Sequence, residues 1–198
     1  MGFFLIINTI NIFSQTTGSE NFECGTSTVT YGGNTYNTVL IGNQCWLKEN
    51  LNIGIRINGD LNQSDNNTIE KYCFNNLESN CDTYGGLYQW NEAMQYNTTP
   101  GIQGICPPGW HIPTVIEMDF LSAAVNHNGN ELKAVGQGTG AGAGTNSSGF
   151  SALLAGIRSF TASFTNFNYL GVFWASSQLD ATWARSLRVN AVDNTIFI

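Results

Sequence analysis

Cysteine is the residue type with the most chemistry to offer in this chain. Five occur, at Cys24, Cys45, Cys73, Cys81 and Cys106. Oxidised, they make a bridge framework with one left over; reduced, they are candidate thiolate ligands. Spacing argues against metal, because there is no C-x-x-C pair and neither His111 nor His127 has ligand-like spacing to another histidine. Bridges are therefore expected. Cys73 and Cys81 bracket the short polar run Phe74 to Asn80, which a disulfide closes easily, and Cys24 with Cys45 is a second candidate pair. Spacing alone does not fix connectivity.

The other reactive groups are more scattered. Asp60, Asn62 and Ser64 imitate the start of a calcium loop, but Asp65 stands where glycine is needed and Lys71 where a bidentate glutamate would close it. No cofactor is expected, with calcium as the one alternative. His111 lies in a proline-bounded turn with no marked nucleophile, so it reads as a hydrogen-bonded structural histidine. Glu117 suits a general acid until its place three residues after Thr114 is noticed, where it completes a helix cap. No catalytic residue emerges, and the chain reads as a non-enzyme. Arg158, Arg185 and Arg188 suit an anionic sugar or a partner's carboxylate, or equally an internal acidic residue. Trp46, Trp90, Trp110 and Trp174 offer flat faces for sugar stacking, although glycine-flanked tryptophans are more often core anchors. Trp183, near the chain end, is the best-placed exception.

Composition narrows the setting. Only 11% of the 198 residues are charged, and the formal net charge is -7. With no basic run, the electrostatic footprint of a nucleic-acid binder is missing. Polarity comes from Asn, Thr, Ser and Gly, residues that build turns and loops, as in extracellular folds. The apolar stretch Phe3 to Phe13 is too short to span a bilayer. It resembles the central region of a signal peptide, so residues 1–20 read as a leader, with an N-terminal edge strand as the alternative. A secreted chain without a membrane span is the expectation.

These residues need elements to hold them. Thr26 to Tyr31 and Tyr36 to Ile41 are β-rich runs around Gly32-Gly33-Asn34, a hairpin signal. Cys45-Trp46-Leu47 reads as a buried strand or turn, and Asn58 to Asn80 as a long loop. Leu87, Trp90 and Met94 at helical spacing predict a first helix over 87–94. Thr114 predicts a second, with Met118, Leu121 and Val125 buried and Phe120 widening the stripe. Gly136 to Gly149 is low-complexity and expected to be flexible; without a lysine or a following helix it is no phosphate loop. Strands are expected over 150–158, 172–176 and 182–189, the last alternating with Trp183, Arg185, Leu187 and Val189 on one face. That order is α+β in a single domain.

Several stretches together resemble the Fibrobacter succinogenes major paralogous domain. They are Tyr36 to Leu51, Ile69 to Cys73, Cys81 to Trp90, Gly104 to Thr114, Gly149 to Arg158, Phe173 to Ser177 and Ala184 to Leu187. The resemblance runs in order over roughly residues 24–190. It implies a secreted or cell-surface bacterial protein, on the outer face of the outer membrane or released. It also implies a C-type-lectin-like fold, with two helices, a twisted antiparallel sheet and long irregular loops. Such a module is expected to bind carbohydrate or a surface protein, as a monomer or as part of a larger assembly. A structural or adhesive role is the alternative. A more distant one is an enzyme akin to formylglycine-generating enzymes, which need late cysteines that this chain lacks after Cys106. On the lectin analogy Cys106 would pair with a cysteine in a final strand, so the domain, residues 24–198, is expected to be truncated at its C-terminus.

Overall fold

The computed structural model describes residues 22–198. The leader expected over 1–20 lies outside them. Among the described residues, no helix is long and apolar enough to cross a membrane.

The predicted hairpin is present. β1 (Thr28–Tyr31) and β2 (Asn34–Ile41) pair antiparallel, with Tyr31 opposite Asn34, so the loop is Gly32-Gly33 alone. Their φ values of 58° and 82° are the two positive angles that a tight primed turn demands. β3 (Gln44–Leu47) returns alongside β2, with every residue buried. Cys45 on this strand is bridged to Cys24, just ahead of β1, which ties the chain entering one edge strand of the sheet to the other edge strand.

The run expected as one long loop over 58–80 carries more structure than its Asn-rich composition suggests. β4 (Ile55–Arg56) pairs in parallel with β5 (Glu70–Lys71), closing residues 57–69 into a loop. A 3₁₀ turn at Phe74–Asn76 then leads into α1 (Glu78–Tyr84). The second bridge, Cys73 to Cys81, joins the residue before that turn to the middle of α1. Both expected disulfides therefore form, and Cys106 remains a fully buried thiol.

The first predicted helix is only one turn, α2 (Trp90–Ala93). Leu87 is instead paired across an antiparallel bridge with Tyr72, and Gln95 and Tyr96 take left-handed φ values of 49° and 57° that end the turn. α3 (Val115–Ala124) carries the complete capping box at Thr114 and Glu117. Met118, Leu121 and Val125 are buried as expected. Phe120 is 60% exposed and does not widen the buried stripe.

The Gly136 to Gly149 stretch is held by defined contacts. After the single turn α4 (Gly129–Leu132), the chain makes a 3₁₀ turn at Gly140–Gly142. A Cβ at Gly142 would collide with the Ala191 backbone, so glycine is what lets these strands of chain meet. Lys133, fully buried, donates from Nζ to the carbonyls of Gly142, Asn190 and Asp193 at 2.5, 2.6 and 2.9 Å.

Of the strand expected over 150–158, only β6 (Ile157–Arg158) forms, paired with β7 (Phe164–Thr165). Left-handed Gly149, Ser151 and Gly156 break the extended run. β8 (Leu170–Gln178), β9 (Ala184–Asn190) and β10 (Ile196–Phe197) make an antiparallel sheet with β9 central. On β9 the expected alternation holds where it is buried: Leu187 and Val189 face in, while Arg188 faces out. Phe150 links the two halves of the core, edge-on to Trp46 and to Phe173, each with ring centroids 5.5 Å apart. The architecture is α+β, with short helices and several antiparallel sheets.

Candidate binding cleft

The turn between β8 and β9 is the starting point, because it presents Trp183. Asp180 Oδ1 accepts the backbone N–H groups of Thr182 (2.7 Å) and Trp183 (2.9 Å), and Leu179 N–H donates to Trp183 O (2.8 Å). Such an aspartate-closed turn fixes the backbone under an indole that stays 46% exposed. A second turn, between β6 and β7, presents Phe160 at 71% exposure. Between these turns and the loop ahead of β5 lies a cleft of about 360 Å³, lined by Trp183 and Phe160 and by the buried Trp90 and Trp174.

The remaining lining is rich in amides: Asn62, Gln63, Gln89, Asn91 and Gln178. Gln63 and Gln89 clasp each other. Gln63 N–H donates to Gln89 Oε1 at 2.8 Å, and Gln89 N–H donates to Gln63 Oε1 in return. Gln63 Nε2 also donates to Glu70 O at 2.7 Å. Tyr96 completes the rim, its hydroxyl donating to Glu92 Oε2 at 2.8 Å. Glu92 is fully buried and also accepts Glu70 N–H, and burial pushes its carboxyl above the usual range. Burial and the bond to Glu92 both push the Tyr96 phenol up, so it stays protonated. Its proton is committed to Glu92, leaving the oxygen's lone pairs as the acceptor that faces the cleft.

Arg158 reaches this cleft but is not available as a ligand-binding residue. It is 2% exposed, and its guanidinium donates to the carbonyls of Gly59 and Leu61 and to Asn62 Oδ1 while lying 4.5 Å from the centre of the Tyr72 ring. Arginine's fork thus shapes the 59–62 loop from inside. It also bears on the calcium alternative. A dication on Asp60, Asn62 and Ser64 would sit beside a buried positive charge that already uses the loop's oxygens. Arg185 lies outside the cleft, along a neighbouring groove that shares Trp183 as a wall. Of the three expected ligand residues, only Trp183 is placed to meet a ligand here.

The other candidates resolve into structural roles. Trp46, Trp90, Trp110 and Trp174 are at most 5% exposed and belong to the core. His111 Nε2 lies 3.1 Å from both Glu117 carboxylate oxygens, of which Oε2 also accepts Thr114 N–H at 2.8 Å. Burial works against the Glu117 charge, but the bonds from His111 and Thr114 win and hold its carboxyl below the usual range. Cys73, Cys81 and Glu78 bring donor atoms within 4.8 Å of one another, yet the sulfurs are spent in the bridge and Glu78 pairs with Arg56 and Lys71. Among the described residues, no carboxylate, histidine or cysteine lines the cleft. Stacking and hydrogen bonding are the chemistry it offers. The sequence reading did not single out Phe160, Gln63, Gln89, Glu92 or Tyr96; the density of Asn and Gln was the available signal.

A family model described as the Fibrobacter succinogenes major domain matches residues 39–196. The chain belongs to that family. The match starts within β2 and ends in β10, so the whole cleft is family territory, whereas β1 and Cys24 precede it. No curated protein and no solved structure matches the chain.

Proposed function

We propose that this member of the Fibrobacter succinogenes major domain family is a noncatalytic carbohydrate-binding module that works outside the cell. The observation that carries the reading is the cleft that the exposed Trp183 and Phe160 line together with a bank of amide side chains. A sugar ring offers an apolar C–H face and a rim of hydroxyls that both donate and accept. Aromatic faces match the first and amides, which also do both, match the second. A cleft without carboxylates or a reachable cation suits a neutral saccharide. Recognition without calcium is part of the proposal, since Arg158 occupies the loop that would have to hold the ion.

The extracellular setting is supported by the two disulfides, which persist in oxidising compartments. A C-type-lectin-like plan is also proposed. The order of hairpin, helices and a closing antiparallel sheet is compatible with it.

The test is a glycan array probed with the oxidised protein in calcium and then in EDTA. Neutral oligosaccharides are expected to bind equally in both. Trp183→Ala and Phe160→Ala should each weaken binding at least about tenfold, given that one aromatic stacking contact is worth about 1–2 kcal/mol. Absence of glycan binding, or binding that ignores both substitutions, would remove the proposal.

A further inference from the structure

The chain's seven basic residues are Lys48, Arg56, Lys71, Lys133, Arg158, Arg185 and Arg188. Most are already engaged. Arg56 and Lys71 pair with Glu78. Lys133 and Arg158 are buried on backbone carbonyls. Lys48 lines a separate recess together with Glu49 and Asp82. Among the described residues no carboxylate lies within ion-pair distance of Arg185 or Arg188, and Arg188 lies 5.9 Å from the centre of the Phe197 ring. Both line one groove of about 270 Å³ on the β8–β9 sheet, whose other walls include Leu170, Val172, Leu179 and Trp183.

We propose that this groove docks a protein segment in which an acidic side chain sits beside an aliphatic or aromatic one. On a chain of net charge -7, two arginines lining one groove are a local concentration of positive charge. Guanidinium forks match carboxylates in geometry as well as charge. The apolar walls call for an apolar group next to that carboxylate. Leu179 is 57% exposed and Trp183 46% exposed, so the groove is open along its rim. A fatty-acid tail needs an enclosing pocket that covers most of its surface, whereas a peptide segment lies across an open one. The inference does not rest on the saccharide reading: the two grooves share Trp183, but Phe160 and the amide bank do not line this one.

The test uses the full chain against an array of immobilised pentapeptides, each with a central Glu or Asp flanked by Leu, Ile or Phe. Every acidic peptide is paired with its Gln or Asn counterpart. Acidic members should bind about tenfold more tightly than the amides at low salt, and rising NaCl should erode the difference. Arg185→Gln with Arg188→Gln should erase it, and Arg185→Gln alone, at a half-buried position, should reduce it if the double variant folds poorly. Phe160→Ala should leave peptide binding intact while weakening any glycan binding about tenfold. Equal binding of acidic and amide peptides, indifference to both arginine variants, or no peptide binding would overturn the assignment. So would displacement of the acidic peptides by dodecanoate or by an oligogalacturonate at lower concentration than by free peptide.

Discussion

Replacing Lys133 with methionine keeps most of the side-chain volume and removes one ammonium. That group is the shared donor to three carbonyls, from the 3₁₀ turn at Gly142, from Asn190 at the end of β9 and from Asp193 beyond it. Hydrogen bonds from a charged donor are each worth about 1.5–3 kcal/mol, and a buried carbonyl left without a donor costs about 1–3 kcal/mol. The three do not add fully, because Asp193 lies near the surface and water can reach it. A total loss of about 4 kcal/mol follows, a large part of the roughly 5–15 kcal/mol that holds an ordinary domain together. The thermal midpoint should fall by about 10 °C, taking about 2–4 °C per kcal/mol for a domain of this size. Urea unfolding, read by the fluorescence of the five tryptophans, measures the total. Hydrogen exchange tests its location, and protection should drop first over 140–144 and 188–194. A Lys133→Met protein within about 1 kcal/mol of the parent, or one whose exchange rises evenly along the chain, would refute the reasoning.

Further perturbations probe the site and its supports. Arg158→Met strands the carbonyls of Gly59 and Leu61, and should cost about 3 kcal/mol and blunt any glycan binding although Arg158 touches no ligand; unchanged binding would count against its role in shaping the loop. Loop-closure entropy makes the Cys24–Cys45 bridge, at a separation of 21, worth about 3.4 kcal/mol and Cys73–Cys81, at 8, about 2.6 kcal/mol. Paired serine variants should therefore rank in that order by urea midpoint. The Glu117 carboxyl is held below its ordinary value near 4.5, so the native state favours the charged form. The stability it contributes is complete above that ordinary value and is lost as pH falls through the lower folded one. Urea midpoints from pH 3 to 7 should show a shallower acid limb in Glu117→Gln, and parallel limbs would exclude the effect.

Elements specified by a few neighbouring residues were legible in advance. The Gly-Gly turn, the Thr114–Glu117 cap and the short Cys73–Cys81 span each carry their constraint within ten residues. What was not legible depends on distant partners. The α1 sequence, with Ser, Asn, Asp and Thr among seven residues, has weak helix propensity, and the bridge from Cys73 helps hold the turn around Cys81. Phe120 is the exception: two residues after Met118, it lies about 200° round the helix from it, so the 3.6-residue period itself turns it away from the buried stripe. Arg158 has the side chain of a ligand-binding residue, and burial against a loop 99 positions earlier assigns it another task. The cleft itself joins residues near 62, 90, 160 and 183, a grouping that no window of sequence contains.

Trp183 lines both the cleft and the arginine groove. One indole cannot take two orientations at once, so an occupant that selects its side-chain angles on one side sets the wall offered on the other. Thermodynamic linkage then requires reciprocity: whatever factor a saccharide imposes on peptide affinity, the peptide imposes on saccharide affinity. A shared aromatic wall thus makes the two grooves a coupled pair, and the sign of the coupling reports whether the two ligands prefer the same rotamer.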